Sequence, residues 1–148
     1  MQLINRFQHI FKKEKIDCVV FPYEVISLGP DCGLIEMINN VTTLNGLFER
    51  LHGQNLTLRQ FFDRSFPKPV QARRNFMRSL AGYSILTYFL QVKDRHNGNI
   101  LINRDGYIIH IDFGFFLSNA PGKGVELEKK VPEVDLKSAI TAMELATD

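Results

Sequence analysis

The sequence carries little net charge and no long hydrophobic run. Eighteen Lys and Arg residues against sixteen Asp and Glu leave a formal net charge of +2, which is too small to indicate a nucleic-acid partner. The most apolar run, residues 85–92, is far too short to cross a bilayer, and no basic start with an apolar signal core is present. We therefore expect a soluble, intracellular protein that does not bind nucleic acid.

Cysteine is scarce as well. Only Cys18 and Cys32 occur, and they lack the spacing of metal ligands, so we expect two buried free thiols in a reducing compartment. Internal repeats and low-complexity segments are also missing. A chain of 148 residues with 45% hydrophobic and 23% charged residues is long enough for one domain with its own core.

Apolar residues at helical spacing predict several helices. The first lies at the start of the chain, where five apolar residues share one face: Leu3, Ile4, Phe7, Ile10 and Phe11. Residues 42–65 predict two short helices separated at 53–55, and the proline-free stretch 71–90 predicts a long one. The apolar stripe on the long helix is typical of a surface that faces a core.

Runs rich in Val, Ile and aromatic residues predict strands between these helices. Residues 18–21 and 23–28 are such runs, but Pro22 between them favours a broken or edge strand. A turn at 29–33 leads into a third run at 34–38. We therefore expect a hairpin in this part of the chain.

A second hairpin is predicted by two β-branched runs on either side of the turn 103–106. If Ile102 pairs with Tyr107, then Asn99 and Asp112 emerge on one face at the open end of the hairpin. Amide and carboxylate oxygens are the ligands that Mg²⁺ prefers in proteins. The pattern therefore predicts a metal site for a bound nucleotide at this end.

The loop before the hairpin carries groups suited to acid–base chemistry. Asp94 and His96 precede Asn99 by a few residues and are candidates to accept a proton from an attacking hydroxyl. Arg95 and Lys93 could hold phosphate or brace the loop. Each short motif alone is more typical of a solvated loop, and a histidine in an apolar strand, such as His110, is more often a core residue than a ligand.

The combination is more specific than its parts. Asp-Arg-His-x-x-Asn, a short hairpin and Asp-Phe-Gly follow the general plan of phosphoryl transferases, with a catalytic-loop acid and asparagine before a metal-binding aspartate. With residues 91–101 and 110–115 as they stand, the chain resembles the phosphatidylinositol kinase family, and within it the phosphatidylinositol 4-kinases of the type III beta kind.

The resemblance implies an α+β, protein-kinase-like fold, of which this chain holds the hinge region and part of the C-lobe. It implies that adenine binds near Glu36 and Ile38, with Tyr23 lining the pocket and Leu101 and Ile111 beneath the base. The register above puts Leu101 and Ile111 on opposite faces of the hairpin. Either the pairing slips or the strand twists before the metal site.

The resemblance also implies the chemistry. ATP is the co-substrate, Asn99 and Asp112 bind Mg²⁺ or Mn²⁺, and the γ-phosphate passes to the 4-hydroxyl of phosphatidylinositol. Asp94 with His96 orients and deprotonates that hydroxyl, with Arg95 in the same catalytic loop; which of the two is the base stays open. The expected location is cytoplasmic, peripheral on Golgi-like internal membranes.

The resemblance covers residues 1–132, and residues 133–148 diverge into a tail with a short helix that Asp135 could cap. Residues 113–132 correspond to the activation loop, which reads the lipid headgroup. A glycine-rich phosphate loop and a lysine before the first helix are not found. We therefore expect a partial catalytic domain that is weakly active or inactive alone.

Two other functions stay open. The chain could be a non-catalytic fragment that binds nucleotide or a regulatory partner through its helices. It could also be a protein kinase of the same superfamily, whose substrate is a peptide and not a lipid.

Overall fold

The computed structural model describes residues 1–117, which form a mixed helix and sheet structure of the α+β class. Its elements follow in chain order: α1 (Gln2–Lys13), β1 (Val25–Gly29), β2 (Cys32–Ile35), β3 (Val41–Thr43), α2 (Leu44–Gln54), α3 (Leu58–Ser65), α4 (Pro69–Phe89), β4 (Ile100–Asn103) and β5 (Ile108–His110). The predicted tail helix and most of the predicted activation loop lie outside the described residues.

Helix α4 lies at the centre and contributes to both hydrophobic clusters. Tyr83 and Leu86, near its C-terminal end, pack with α1 and β5. Ala72, near its N-terminal end, packs with α2, α3 and β4. The predicted long helix is confirmed and begins two residues earlier, at Pro69, because proline is well tolerated in the first turn of a helix.

The other predicted helices are confirmed, with boundaries set by their caps. Helix α2 continues through the predicted break and ends at Asn55, which adopts a left-handed conformation. Helix α3 begins at Thr57, which forms a capping box with Gln60. In α1 the face is narrower than predicted, since Ile4 and Phe11 are buried and Phe7 is half-buried, while Leu3 and Ile10 are exposed.

The prediction of a strand at residues 18–21 is wrong. This segment runs along α4, where the Val19 amide donates to the Arg78 carbonyl at 3.1 Å and the Phe21 amide donates to the Tyr83 hydroxyl at 3.0 Å. Gly82 permits the approach, because a Cβ there would lie 2.5 Å from the Val19 carbonyl oxygen. The segment is extended, but its hydrogen bonds are made with a helix and not with another strand.

The first predicted hairpin is confirmed, with shorter strands. β1 and β2 are antiparallel, pairing Val25 with Ile35, and the irregular turn follows Ser27. Both strands are exposed along their length, so the prediction that Cys32 is buried is wrong. Cys18 is half-buried, and burial raises the pKa of its thiol.

The second hairpin forms, but its predicted register is wrong by one residue. β4 pairs with β5 through Ile100 and His110, and with β3 on its other side. The Gly106 amide donates to the Asn103 carbonyl at 3.1 Å, and Gly106 has a φ of +87°. Hairpins commonly turn through a three-residue loop that ends in a left-handed residue. This loop is one residue shorter than the predicted turn, so the pairing of the strands shifts by one residue.

Helix α4 fixes this hairpin in place through buried polar contacts. The Ser79 hydroxyl accepts a hydrogen bond from the Ile108 amide at 2.9 Å, and the Asn75 side chain donates to the Asp105 carbonyl at 2.8 Å. Gly106 packs against the helix backbone, where a Cβ would lie 2.5 Å from the Ala72 carbonyl oxygen. The hairpin is therefore attached to α4 at its turn and at its second strand.

Among residues 1–117, no helix has both the length and the apolar character needed to cross a membrane.

We predict that Ser79→Ala destabilises the protein by about 1–3 kcal/mol, because the buried Ile108 amide loses its acceptor. Ser84→Ala in the same helix is the matched control, since no hydrogen bond of its hydroxyl occurs within the described part of the chain. We expect a change within about 0.5 kcal/mol for the control. Urea unfolding measures both, and equal effects would contradict the role of Ser79.

Candidate functional site

The candidate site is formed by the loop that follows α4 and by the residues that follow β5. Asp94 and Asp112, one in each segment, are exposed and have left-handed backbone conformations, with φ of +58° and +56°. Aspartate tolerates this region better than most residues, and such conformations are concentrated at functional sites. The two acids were predicted as site residues from the motif alone.

Arg95 joins the two segments. Its guanidinium donates to the Ile111 carbonyl at 2.6 Å and to the Asp112 carbonyl, and its Nε donates to the Lys93 carbonyl at 3.0 Å. The same group lies over the Phe113 ring, 5.3 Å from its centroid. Burial lowers the pKa of Arg95, while the nearby carboxylates of Asp112 and Asp94 raise it. The sequence left two uses open for Arg95, holding phosphate or bracing the loop. In the structure Arg95 braces the loop, and the groups that it binds are backbone carbonyls.

Asn99 lies directly beside the strand that leads to Asp112. Its carbonyl accepts a hydrogen bond from the Ile111 amide at 3.0 Å, and its side-chain nitrogen donates to the Asp94 carbonyl at 3.0 Å. Asn99 is 9% exposed. With the nitrogen of its amide group committed to Asp94, the side-chain oxygen is the atom that can accept a ligand.

The residues present fit a hard divalent cation. Asp112 is exposed, and one of its oxygens accepts only a long hydrogen bond from the Gly114 amide, at 3.3 Å. Together with the Asn99 oxygen, this supplies two oxygen donors, and Mg²⁺ in nucleotide sites commonly takes one or two from the protein. Within residues 1–117 no group of three or more His, Cys, Asp or Glu side chains could form a larger metal cluster.

The backbone next to His96 favours one tautomer of its neutral ring. Its Nδ1 accepts a hydrogen bond from the Gly98 amide at 3.1 Å. A backbone amide is always a donor, so Nδ1 carries no proton and the proton of the neutral ring is on Nε2. Gly98 is part of this arrangement, because a Cβ there would lie 3.0 Å from the ring.

Among the predicted adenine-binding residues, Tyr23 reaches the metal end of the site. Burial raises the pKa of its hydroxyl, and a backbone hydrogen bond from Asp112 lowers it. Leu101 is buried and Ile111 half-buried, and the observed register puts them on the same face of the hairpin. This removes the conflict that the predicted register created. The same register pairs Asn99 with Ile111 and not with His110, so the predicted pairing that put Asn99 and Asp112 on one face is wrong.

Glu36 and Ile38 lie beyond β2. The Glu36 side chain accepts a hydrogen bond from the Glu24 amide at 2.8 Å, and its own amide donates to the Glu24 carbonyl at 2.9 Å. Ile38 is half-buried. No hydrogen bond joins either residue to the catalytic loop in the part of the chain that the structure describes, so their part in adenine binding stays a prediction.

Sequence reasoning did not assign the contacts behind the site. His110 is buried and stacks on Tyr83 with ring centroids 4.3 Å apart. Burial lowers the pKa of His110 to about 3, so the ring is neutral, and its Nδ1 has no hydrogen-bond partner in the described region. Lys93 binds the Leu117 carbonyl through its Nζ at 2.8 Å. The apolar strand pattern indicated that His110 is a core residue, but no signal indicated its stacking partner.

These elements define an α+β domain in which the Asp94–Asn99 loop is fastened by Arg95 to the segment that follows β5. The whole chain, residues 1–148, matches the family described as phosphatidylinositol 3- and 4-kinase. The chain therefore belongs to this family.

The similarity extends to relatives named as alpha-like and as beta phosphatidylinositol 4-kinases. The chain is 46% identical over 133 residues to phosphatidylinositol 4-kinase beta 2 of Arabidopsis thaliana, covering 86% of this chain and 12% of that protein. It is 42% identical over 137 residues to the human phosphatidylinositol 4-kinase alpha-like protein P2, covering 91% and 23%. A phosphatidylinositol 4-kinase of Dictyostelium discoideum is 42% identical over 127 residues, covering 82% and 11%. The chain thus spans less than a quarter of the length of these relatives.

We predict that Arg95→Ala loosens the site locally, because three carbonyls lose their common donor. Amide hydrogen exchange should become faster at residues 93–96 and 111–113. Arg95→Lys should restore little of the protection, since one ammonium cannot reproduce the planar fork of a guanidinium.

Arg104→Ala is the matched control for this prediction. Arg104 is exposed at the turn of the β4–β5 hairpin and makes no hydrogen bond or ion pair within residues 1–117. Unchanged exchange in Arg95→Ala, or equally fast exchange in the control, would show that Arg95 does not hold the two segments together.

Proposed function

We propose that this chain supplies the catalytic loop and metal site for transfer of the ATP γ-phosphate to the 4-hydroxyl of phosphatidylinositol. The observation that carries the proposal is the attachment of the Asp94–Asn99 loop to Asp112 by one half-buried guanidinium, with exposed carboxylates on both sides. Family membership supports the lipid as substrate.

Asn99 and Asp112 would hold the cation, Mg²⁺ or Mn²⁺. When bound, it would neutralise charge on the phosphates of ATP. The protein's own contribution is to fix both oxygens before the nucleotide binds. Asn99 does so by donating to the Asp94 carbonyl, and Asp112 by the contacts of its carbonyl with Arg95.

Asp94 is our choice for the proton acceptor. The Nδ1 lone pair of His96 is used by the Gly98 amide, so in this arrangement the other ring nitrogen is a donor. His96 would then donate a hydrogen bond through Nε2 to a phosphate oxygen, while the exposed Asp94 carboxylate takes the proton of the inositol hydroxyl. This assigns the two roles that the sequence left open.

The remaining assignments complete the proposal. Tyr23, Leu101 and Ile111 would form the part of the nucleotide pocket next to the metal site, with the backbone near Glu36 and Ile38 binding adenine. In a protein-kinase-like architecture, residues 1–132 would provide the hinge and part of the C-lobe. We place the protein in the cytoplasm, peripheral on internal membranes where its lipid substrate lies.

We predict that the chain binds ATP more tightly with Mg²⁺ than without it. Asp112→Asn should remove most of this difference, because an amide nitrogen takes the place of one carboxylate oxygen of the proposed ligand. Titration of a fluorescent ATP analogue with and without Mg²⁺ measures the effect. Asp31→Asn, the same change at the exposed β1–β2 turn, should bind like the unchanged protein.

Metal-dependent binding that survives in Asp112→Asn would rule out the proposed metal site. Metal-dependent binding without lipid phosphorylation would favour the second candidate, a nucleotide-binding module.

We predict different losses in lipid phosphorylation for the two polar residues of the catalytic loop. Asp94→Asn should lower kcat by about 10²–10⁴-fold, since the amide cannot accept the proton. His96→Gln should lower kcat less, because the side-chain amide nitrogen of glutamine can still donate to phosphate. The measurement is phosphatidylinositol phosphate formation from ATP and mixed lipid vesicles, with a protein-kinase peptide substrate offered in the same assay. A larger loss in His96→Gln than in Asp94→Asn would reverse the assignment.

A further inference from the structure

A basic groove lies at the far end of the β4–β5 hairpin from the candidate site. It has a volume of about 960 Å³ and is formed by the N-terminal half of α4, the connection before it, α2, α3 and the β4–β5 turn. The loop that carries Asp94 is at the other end of both α4 and the hairpin. The groove is therefore separate from the candidate metal site described above.

Three exposed cations stand around this groove, each on a different element. Arg50 belongs to α2, Lys68 precedes α4, and Arg104 is in the hairpin turn. No side chain of the three makes a hydrogen bond or ion pair within the described residues. The single carboxylate among the lining residues is that of Asp105, so the groove has an excess of positive charge.

The inside of the groove is apolar. Phe61 and Phe66 line it and meet edge to face, with ring centroids 5.7 Å apart. Both are half-buried, and Ala72 and Ile102 are buried beneath them. This combination suits a ligand that brings apolar side chains as well as negative charge.

The polar atoms of the groove suit a peptide backbone. The side-chain nitrogen of Gln71 donates to Asn75, and within residues 1–117 its side-chain oxygen makes no hydrogen bond. Asn40, at the other side of the groove, leads into β3, which is an edge strand of its sheet. An extended segment could therefore find donors and acceptors here, as peptides do along strand edges.

We propose that this groove binds an acidic peptide segment of a partner protein. Its carboxylates would pair with Arg50, Lys68 and Arg104, and an apolar side chain would cover Phe61 and Phe66. A nucleic acid is less suited, because tight binding takes many phosphate contacts and the chain has a net charge of only +2. A membrane is less suited, because a bilayer at the proposed lipid-kinase site would face the opposite end of the hairpin.

Fluorescence anisotropy tests the proposal without ATP and without lipid turnover. The probe is a labelled peptide of alternating Glu and Leu or Phe residues, titrated with the full chain at about 0.1 M salt. Two further probes carry Gln in place of Glu, or Ser in place of Leu and Phe. We expect saturable binding of the first probe and at least about ten-fold weaker binding of each of the others.

The protein variants separate the groove from general charge attraction. Arg50→Gln, Lys68→Gln and Arg104→Gln together should weaken binding of the acidic apolar peptide by about ten-fold or more. The matched control changes three basic residues of α1 in the same way: Arg6→Gln, Lys12→Gln and Lys13→Gln. Circular dichroism verifies that both variants fold.

The outcomes decide the proposal. Loss of peptide binding in the groove variant alone supports it. Equal loss in both variants, or no binding of the peptide, overturns it. Phosphatidylserine vesicles or a single-stranded oligonucleotide that compete for the groove and bind better than the peptide overturn it in favour of those ligands. None of these results depends on the proposed kinase activity.

Discussion

A single guanidinium holds together the chemically important parts of this protein. Arg95 donates to backbone carbonyls on both sides of the site, and none of these hydrogen bonds is made to a carboxylate. Because carbonyl oxygens belong to the backbone, the contact fixes the path of the chain and leaves the side chains of Asp94 and Asp112 exposed. Buried Arg is favoured for such a role, since its charge persists over the whole pH range and its geometry is planar. The arrangement separates the residue that builds the site from the residues that would react.

Helix α4 provides the base on which this contact acts. The helix buries apolar residues in two clusters and also binds the hairpin through Ser79 and Asn75. Polar contacts inside a core add specificity, because a register shifted by one residue would leave the Ile108 amide without its acceptor. The positions of Asn99 and Asp112, the proposed metal ligands, are therefore set by the helix on one side and by Arg95 on the other.

Much of this could be predicted from the sequence, for reasons that differ between elements. Helix periodicity located α1, α2, α3 and α4, because each helix buries one face. The motif residues of the loop and of the strand after it are joined through Arg95 and Asn99 in the structure, while their roles stay predictions. The register was missed because it depends on Gly106, whose left-handed conformation closes a loop one residue shorter than expected. The extended segment before Pro22 was misassigned because its partners are the carbonyl of Arg78 and the hydroxyl of Tyr83, which no local pattern reveals.

The exposed β1–β2 hairpin and the β4–β5 hairpin, which packs on α4, differ in local stability. Most of its apolar residues, among them Ile26, Leu34 and Ile35, are more than half exposed, and a two-stranded ribbon without a covered face is only marginally stable in water. The hairpin therefore opens at a lower free-energy cost than the helix-backed hairpin that leads to Asp112. Both hairpins border the proposed nucleotide pocket. The wall formed by the β4–β5 hairpin is therefore rigid, and the wall formed by the β1–β2 hairpin is more easily deformed. On the adenine side the proposed pocket would therefore deform more easily than on the metal side.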